Sequence, residues 1–444
     1  MPSPDEATRR LPVARATRFA CRRCGDCCRW RPVELTPAEA ERLERDGPAA
    51  LGRLGPVSAT VRRRGRLLRF LRRRADGACI FLADPAECRL QTALGAEAKP
   101  LACRTYPWEF VPRSAAEAPP LLAASFTCSS VARAEGEGLT SQREEAAGLL
   151  EELEAASRLP PAPTPAFARA LRYPREDLER LCELLLAEFE DARRPFPARA
   201  LVAAKFLDLV AASRFPSLRT PTTRRQLDAF HEGIRAQTER GLLRAPTAPP
   251  SRAQRLLLGS LLARACRPEP PALATASGLR RAAHRLGDGL ALLAFWAGSG
   301  LVQPWDRARR VVLGTVRRTA PRADPAAPCA DAALTRYFVA KLSQPFLYAP
   351  HHALRTAQAS LGLLLRVYPM ALLLARAACL ARSGTEVDAS DYASALRTID
   401  RAFARTAWDR GALGRLRARL LGDFDAALAL VPSCAAPPPT PSAA

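Results

Sequence analysis

The chain is poor in several residue types at once. Of its 67 basic residues only three are lysine (Lys99, Lys205 and Lys341), histidines number four, methionines two, and aromatics reach only 6%. With no alternation of basic and aromatic side chains, the stacking platform of a single-strand nucleic-acid binder is missing. The most apolar runs, Leu290 to Val302 and Val367 to Ala375, fall far short of the ~20 residues that cross a bilayer. Met1 to Ala20 contains four arginines and no apolar run of signal-peptide length. No Gly-x-Gly loop follows a strand with an acidic residue downstream; Glu135-Gly-Glu-Gly138 follows no hydrophobic strand. A P-loop, a Gly-x-Ser-x-Gly elbow and a His-Glu-x-x-His helix are also absent. The expectation is a cytoplasmic protein without a membrane span, whose thiols stay reduced.

Basic charge is present in excess, at a net +23. The arginine-for-lysine bias, with abundant Ala and Pro, points to base composition rather than to a nucleic-acid site. The excess is also spread out: residues 1–135 carry 24 basic and 15 acidic groups, and the rest 43 and 29. One cluster stands out, eight arginines between Arg62 and Arg74 around Gly65. It reads as a solvated hairpin with charged edges or as a basic flap over an anionic cofactor or acidic partner. A nucleic-acid binder using this segment is the remotest reading.

Cysteine is what the chain has in quantity. Eight of its 13 cysteines lie between Cys21 and Cys128, namely Cys21, Cys24, Cys27, Cys28, Cys79, Cys88, Cys103 and Cys128. In a chain without secretion features, thiols this dense are metal ligands rather than bridges. Cys21-x2-Cys24-x2-Cys27 has the spacing that supplies three ligands to a [4Fe–4S] cluster, and Gly25 allows a tight wrap. Adjacent Cys27 and Cys28 are expected to point apart, one toward a second site or another edge of the same one. Eight thiols can build one cluster plus a four-cysteine zinc, or two centres of one kind, and spacing does not choose. Soft donors exclude calcium and magnesium. Cys182, Cys266 and Cys379 sit among apolar helical residues and read as core; Cys329 and Cys434 fall in loop or tail sequence with no visible role. His231 reads as a core or boundary residue, His284 as surface, and the His351-His352 pair as the start of a helix.

The expected fold is mainly α: a small, irregular, metal-bound cysteine module followed by a large all-α domain. Residues 1–17 read as a flexible lead-in and 18–135 as the module. Thr36 and Glu39 should cap a helix from Pro37 to Arg45, and Asp76-Gly77 should turn. Cys88 to Gly95 reads as one or two helical turns stopped by glycine. Residues 136–172 hold a helix opened by Ser141-Gln-Arg-Glu144 and the stiff linker Leu159 to Pro165. Residues 173–430 form the helical domain, with apolar faces at Leu178–Phe189, Leu227–Ile234 and Tyr392–Phe403. Leu361 to Leu374, with Pro369 inside, is its central helix. Residues 431–444 read as a disordered tail. Segments as short and turn-rich as the module's bury little, so metal should supply much of its stability.

Cys21-x2-Cys24-Gly-x-Cys27-Cys28, Gly77-x-Cys79-x-Phe81-Leu82, Cys88-Arg-Leu and Pro100-x2-Cys103-Arg104-x-Tyr106-Pro107 resemble the bacterial cysteine-cluster family of zinc- or iron-chelating domains. Cys88-Arg-Leu-Gln-x3-Leu-Gly95, Cys103 and Phe126-Thr-Cys128 are most similar to its flagellin lysine N-methylase branch, and Tyr337-Phe338-Val-Ala-Lys341-Leu is faintly like that branch's C-terminal part. The specific motifs cover about residues 18–135. The resemblance implies an iron–sulfur cluster or zinc held by the eight cysteines. It also implies S-adenosylmethionine-dependent methylation of lysines on a flagellin-like protein partner. The first gap of two residues rather than three counts against radical chemistry on that cofactor. The rival expectation is a non-enzymatic interaction module with a structural metal.

Overall fold

The computed structural model describes residues 11–51, 56–63, 66–84, 86–112, 119–157, 167–168, 171, 173–267, 273, 276, 278–305, 309–343, 356–403 and 411–436. The linker at 159–165, Gly65, the His351-His352 pair and the tail from 437 lie outside them. The molecule is mainly helical, 61% by residue, with few and short strands.

In the first 140 residues, one helix of 15 residues and others of four to six alternate with short strand pairs. Strand β1 (Arg18–Phe19) pairs antiparallel with a strand far along the chain, Glu137–Gly138. Helix α1 (Asp26–Trp30) carries the Cys27-Cys28 pair. After β2 (Glu34–Leu35), helix α2 runs Pro37–Leu51, further than expected. Its capping box forms: Thr36 N–H donates to Glu39 Oε2 at 2.8 Å, and Glu39 N–H donates to Thr36 Oγ1 at 3.1 Å. The arginine-rich segment is the hairpin β3 (Ser58–Arg63) and β4 (Arg66–Leu71), with β4 central in the order β2-β4-β3. Then come β5 (Leu82–Ala83), β6 (Glu87–Cys88), α3 (Arg89–Leu94, stopped at Gly95 with φ 86°) and α4 (Leu101–Arg104). Strands β7 (Trp108–Val111) and β8 (Leu121–Ala124) form a second hairpin, and α5 (Ser129–Arg133) follows Cys128.

Helix α6 (Arg143–Ala155) opens differently from the expectation. Residues Leu139–Gln142 wind into a 3-10 turn, so Ser141 Oγ donates to Gly138 O instead of capping. Gln142, freed from any capping role, accepts from Trp108 Nε1 and donates to Phe19 O. Two other expectations fail for one reason, burial. In the lead-in, Leu11 is 1% exposed and Ala14 N–H donates to Leu122 O, so residues 11–17 are packed. At the other end, Val431–Ala435 is helical with Cys434 1% exposed, so the described part of the tail belongs to the core.

The large helical region contains α7 (Arg175–Glu190), α8 (Phe196–Ser213), α9 (Pro221–Glu239), α10 (Arg252–Cys266), α11 (Gly278–Trp296), α12 (Leu313–Thr319) and α13 (Pro328–Ser343). It ends with α14 (Ala357–Ala381), α15 (Ala389–Phe403), α16 (Gly411–Leu421), α17 (Phe424–Ala429) and α18 (Val431–Ala435). Helix α14 is the centre. At 25 residues it is longer than the apolar run anticipated and has the length and composition of a membrane span, yet 94% of its apolar window is buried by protein. Two buried arginines tie it to its surroundings. Arg366 donates to the carbonyls of Leu421 and Asp423, and Arg376 to those of Pro321, Val316 and Cys434.

One hydrophobic cluster runs from Leu11 through Trp108, Phe126 and Val131 into α14 and α15. A smaller one, with Val33, Leu43, Val57, Phe81 and Leu90, lies under the cysteine loops. Thus the second half of the cysteine module shares its core with the helices. Leu372→Ala, at a fully buried site on α14, should cost about 2–5 kcal/mol. Guanidinium unfolding followed by far-UV circular dichroism measures it.

Candidate metal centre

The eight cysteines come from five short segments, and several are held by something specific. Gly25 has φ 71°, a left-handed conformation, and a Cβ there would stand 3.1 Å from Ala86 Cβ and 3.2 Å from Leu82 Cδ1. Chain reversal at Gly25 places Cys27 and Cys28 in the first turn of α1. Cys88 and Cys128 are the residues that cap α3 and α5, and Cys103 lies within α4. Helix starts present free N–H groups, which favour thiolate over thiol. Cys79 N–H donates to Cys28 O at 2.8 Å, which ties the second segment to the first.

All eight side chains face two adjoining cavities. An inner one of about 80 Å³ is lined by Cys27, Cys28, Cys79, Cys88 and Cys103. An outer one of about 290 Å³ is lined by Cys21, Cys24, Cys27, Cys28, Cys88, Cys103 and Cys128. Cys21 and Cys24 are exposed at its mouth; the other six are partly buried. The Cys27 and Cys28 sulfurs are 4.0 Å apart, which corrects the expectation that adjacent cysteines diverge. Both lie on the first turn of one short helix, and both cavities touch that turn. Among the described residues no three Cys, His, Asp or Glu side chains are gathered at single-ion spacing.

Electrostatics around the thiols favours anions. Arg31, Arg73 and Lys99 line the inner cavity. Burial still dominates the isolated thiols, pushing Cys79 and Cys128 up to about 11 and Cys103 to about 12. Its hydrogen bond with Cys28, and then burial, push Cys27 far above the ordinary thiol value. The amides of Ser130 and Val131 face Cys128, and that of Phe81 faces Cys79, each opposing the burial effect. Soft sulfur, cationic neighbours and inward amides suit a thiolate-bound metal; together they neutralise the charge that coordination creates.

Several residues that hold the site were not singled out by sequence reasoning. Arg73 donates to the carbonyls of Cys28, Arg29, Arg31 and Gly77, so one guanidinium fastens the backbone beyond the Cys27-Cys28 pair. Arg74 donates to Leu82 O and pairs with Asp76. Two arginines of the basic segment are therefore scaffolding, while its hairpin strands carry others outward. Arg31 donates to Ala102 O and lies 5.0 Å from the Tyr106 ring. Arg397, 371 residues along the chain from Asp26, donates to Asp26 Oδ2 at 2.7 Å and to Thr127 O at 3.2 Å. It thereby fixes the loops of Cys24–Cys27 and Cys128 at once. Asp26, between Gly25 and Cys27, was the one local signal of this contact.

The remaining cysteines divide by burial. Cys182 and Cys379 are core residues, and Cys379 Sγ lies 3.1 Å from Glu386 O. Cys434 joins the core despite its loop-like sequence, Cys329 lies on α13, and Cys266 lines a separate cleft. His231 is buried with Nε2 3.1 Å from Glu188 Oε2, and His284, partly buried, faces Asp288 at 3.2 Å.

Residues 20–128 match a known domain. It is the CxxCxxCC domain, described as "Putative zinc- or iron-chelating domain". The match covers about a quarter of the chain, and its limits bracket all eight cysteines of the two cavities. No curated protein and no solved structure matches the chain.

Two outcomes test the CxxCxxCC ligands. Cys24→Ser should lose metal and loosen residues 18–135, whereas Cys182→Ser should keep full metal content and cost only local packing. Metal content per chain and hydrogen exchange read both. Because burial raises Cys79 and Cys128 to about 11 and Cys103 to about 12, these three metal-free thiols are protonated at pH 7. Raised folded-state values make that contribution to metal-free stability complete below about pH 9 and lost as pH climbs through 11 to 12. Metal must displace these protons, so loading at pH 7 should release them and apparent affinity should rise with pH. Calorimetric titration in two buffers of different ionisation heat measures the release.

Proposed function

We propose that the CxxCxxCC domain holds an iron–sulfur centre on four thiolates drawn from Cys21, Cys24, Cys27, Cys28, Cys79, Cys88, Cys103 and Cys128, the others serving a second centre. The observation that carries this reading is the convergence of all eight on two joined cavities without three donors at single-ion spacing. A polynuclear centre, which brings its own sulfide, suits thiolates set wider than one ion can reach. Such a centre would supply electron storage or Lewis acidity when bound. The protein's part is to orient sulfurs through Gly25, Arg73 and Arg397, compensate charge through Arg31 and Lys99, and shield the inner cavity with Phe81 and Leu90.

Zinc is the second reading, and one distance favours it. A tetrahedral ZnS4 site with bonds of ~2.3 Å has an edge of roughly 3.8 Å. The 4.0 Å between the Cys27 and Cys28 sulfurs is close to that edge. In this reading the metal is structural and the helices serve recognition.

The motifs shared with the flagellin lysine N-methylase branch support a catalytic role beyond chelation. A methyl group would pass from the sulfonium of S-adenosylmethionine to a lysine Nζ of a protein partner, which gives up a proton. The support for this step is the sequence likeness, and no described residue is assigned to it.

Anaerobically purified protein should carry iron and acid-labile sulfide, absorb in the visible, and show an electron-spin signal on reduction. Colourless protein with stoichiometric zinc and no sulfide would replace the cluster reading by the zinc one. Transfer of label from S-adenosylmethionine to a lysine-bearing acceptor, lost in Cys24→Ser, is the expected outcome of the catalytic test. No transfer by fully loaded protein would remove the methylase.

A further inference from the structure

Among the described residues, helix α11 (Gly278–Trp296) packs on the molecule along one side. Trp296 Nε1 donates to Leu256 O on α10 at 2.9 Å, and Phe295 is 2% exposed. The opposite side carries Leu279, Leu286, Leu290 and Leu293, which are 82, 69, 61 and 57% exposed. At 3.6 residues per turn these four fall within an arc of about 60° and span roughly 21 Å. Single exposed leucines need no account, but four in a continuous row mark a contact surface.

The row runs into a cleft of about 730 Å³, and Leu290 belongs to both. The described residues lining this cleft include Arg267, His284, Arg310 and Arg401 and no Asp or Glu. Arg310 Nε donates to Gln303 Oε1, and Arg401 lies over the Trp305 ring at 3.7 Å. Arg267 and His284 share Asp288, the nearby carboxylate, at 3.4 and 3.2 Å. An apolar ridge beside a cationic recess matches a partner with the reverse arrangement.

We propose that this face docks an acidic amphipathic segment of a partner protein, its apolar side chains on the α11 leucines and its carboxylates in the arginine cleft. Length argues for a peptide rather than a small anion. Leu279, Leu286 and Leu293 lie outside the cleft and would stay wet around a small ligand. Charge argues against a second copy, since a two-fold contact through this face would bring the arginines of both copies together. Shape argues against a lipid surface, because a flat membrane cannot enter the recess where Arg401 lies on Trp305. The inference is independent of the metal's identity. Its location matters nonetheless, since Trp305 meets Trp30 of α1 at 5.9 Å and so seats the partner beside the cysteine module.

The test uses the full metal-loaded chain and a fluorescein-labelled designed helix with leucines at its a and d positions and glutamates elsewhere. A counterpart carries lysine at every glutamate. Anisotropy should show saturable binding of the acidic peptide alone, weakened by rising salt. Affinity should fall by about tenfold or more in Leu286→Glu/Leu290→Glu and in Arg310→Glu, all surface changes that leave circular dichroism unaltered. Equal binding of the two peptides, no binding of the acidic one, or indifference to the substitutions overturns the proposal. So does dimerisation in sedimentation that Leu286→Glu/Leu290→Glu abolishes, which makes the occupant a second copy. Variant-sensitive binding to phosphatidylserine vesicles, or pyrophosphate binding in the cleft without any peptide effect, likewise assigns the face elsewhere.

Discussion

Eight thiols pointed at shared space are a liability until something coordinates them. In water each would sit comfortably; the five of the inner cavity, packed against Phe81, Leu90 and Tyr106, lose solvent, and ionising several without a cation between them is costly. The fold answers this constraint with arginine. Arg73 fastens the carbonyls around the Cys27-Cys28 turn, and Arg397 reaches from α15 to the Asp26 and Thr127 loops. Both act on backbone and neighbouring carboxylate, so the thiols themselves stay free to be ligands. The site is thus assembled by hydrogen bonds to the loops that carry the sulfurs and closed by whatever the sulfurs bind.

This explains why the module does not stand apart from the helices. Its loops are too short to bury all their apolar residues, and among the described residues the clusters private to this region are small, one around Val33, Leu43 and Phe81 and one of Ala14, Val111 and Ala123. Phe126 instead packs edge-on against Tyr337 of α13, with centroids 4.9 Å apart. Beside that contact, Lys341 pairs with Asp400 at 2.7 Å, and Tyr337 donates to the same carboxylate. Glu109 is held above its usual range by burial, which the Lys341 charge opposes. A buried ion pair that leaves no partner charge unmatched contributes more to a single arrangement than to net stability. Here it sets the register between the β7–β8 hairpin and α13–α15, and through that hairpin the position of Cys128.

Sequence reasoning reached the parts of this architecture that are local. The Thr36–Glu39 box, the Gly95 stop, the Asp76-Gly77 turn and the arginine hairpin are decided within a few residues, and each takes the form its chemistry requires. Helical periodicity likewise identified the faces at Leu178–Phe189 and Tyr392–Phe403. What escaped is non-local. Nothing near Arg397 says that its partner is Asp26, and nothing in Leu11 or Cys434 says that distant strands and helices will cover them. The Ser141 box failed because a 3-10 turn competed for the same residues. The Cys27-Cys28 pair, expected to point apart, sits in the first turn of a short helix with its sulfurs 4.0 Å from each other.

The position of α1 gives the cysteine module a route to the rest of the molecule. Trp30, two residues beyond Cys28, meets Tyr106 of the inner cavity at 6.2 Å and Trp305 at 5.9 Å. Arg401 covers Trp305 and lies 5.9 Å from the Trp30 ring, while Arg397, one turn earlier on α15, holds Asp26 at the other end of α1. Helix α1 is thereby held at both ends by one helix. The same stretch of α15 reaches the arginine cleft, which Thr398 and Arg401 help to line. One helix therefore both braces the turn that carries Cys27 and Cys28 and forms part of the cleft wall.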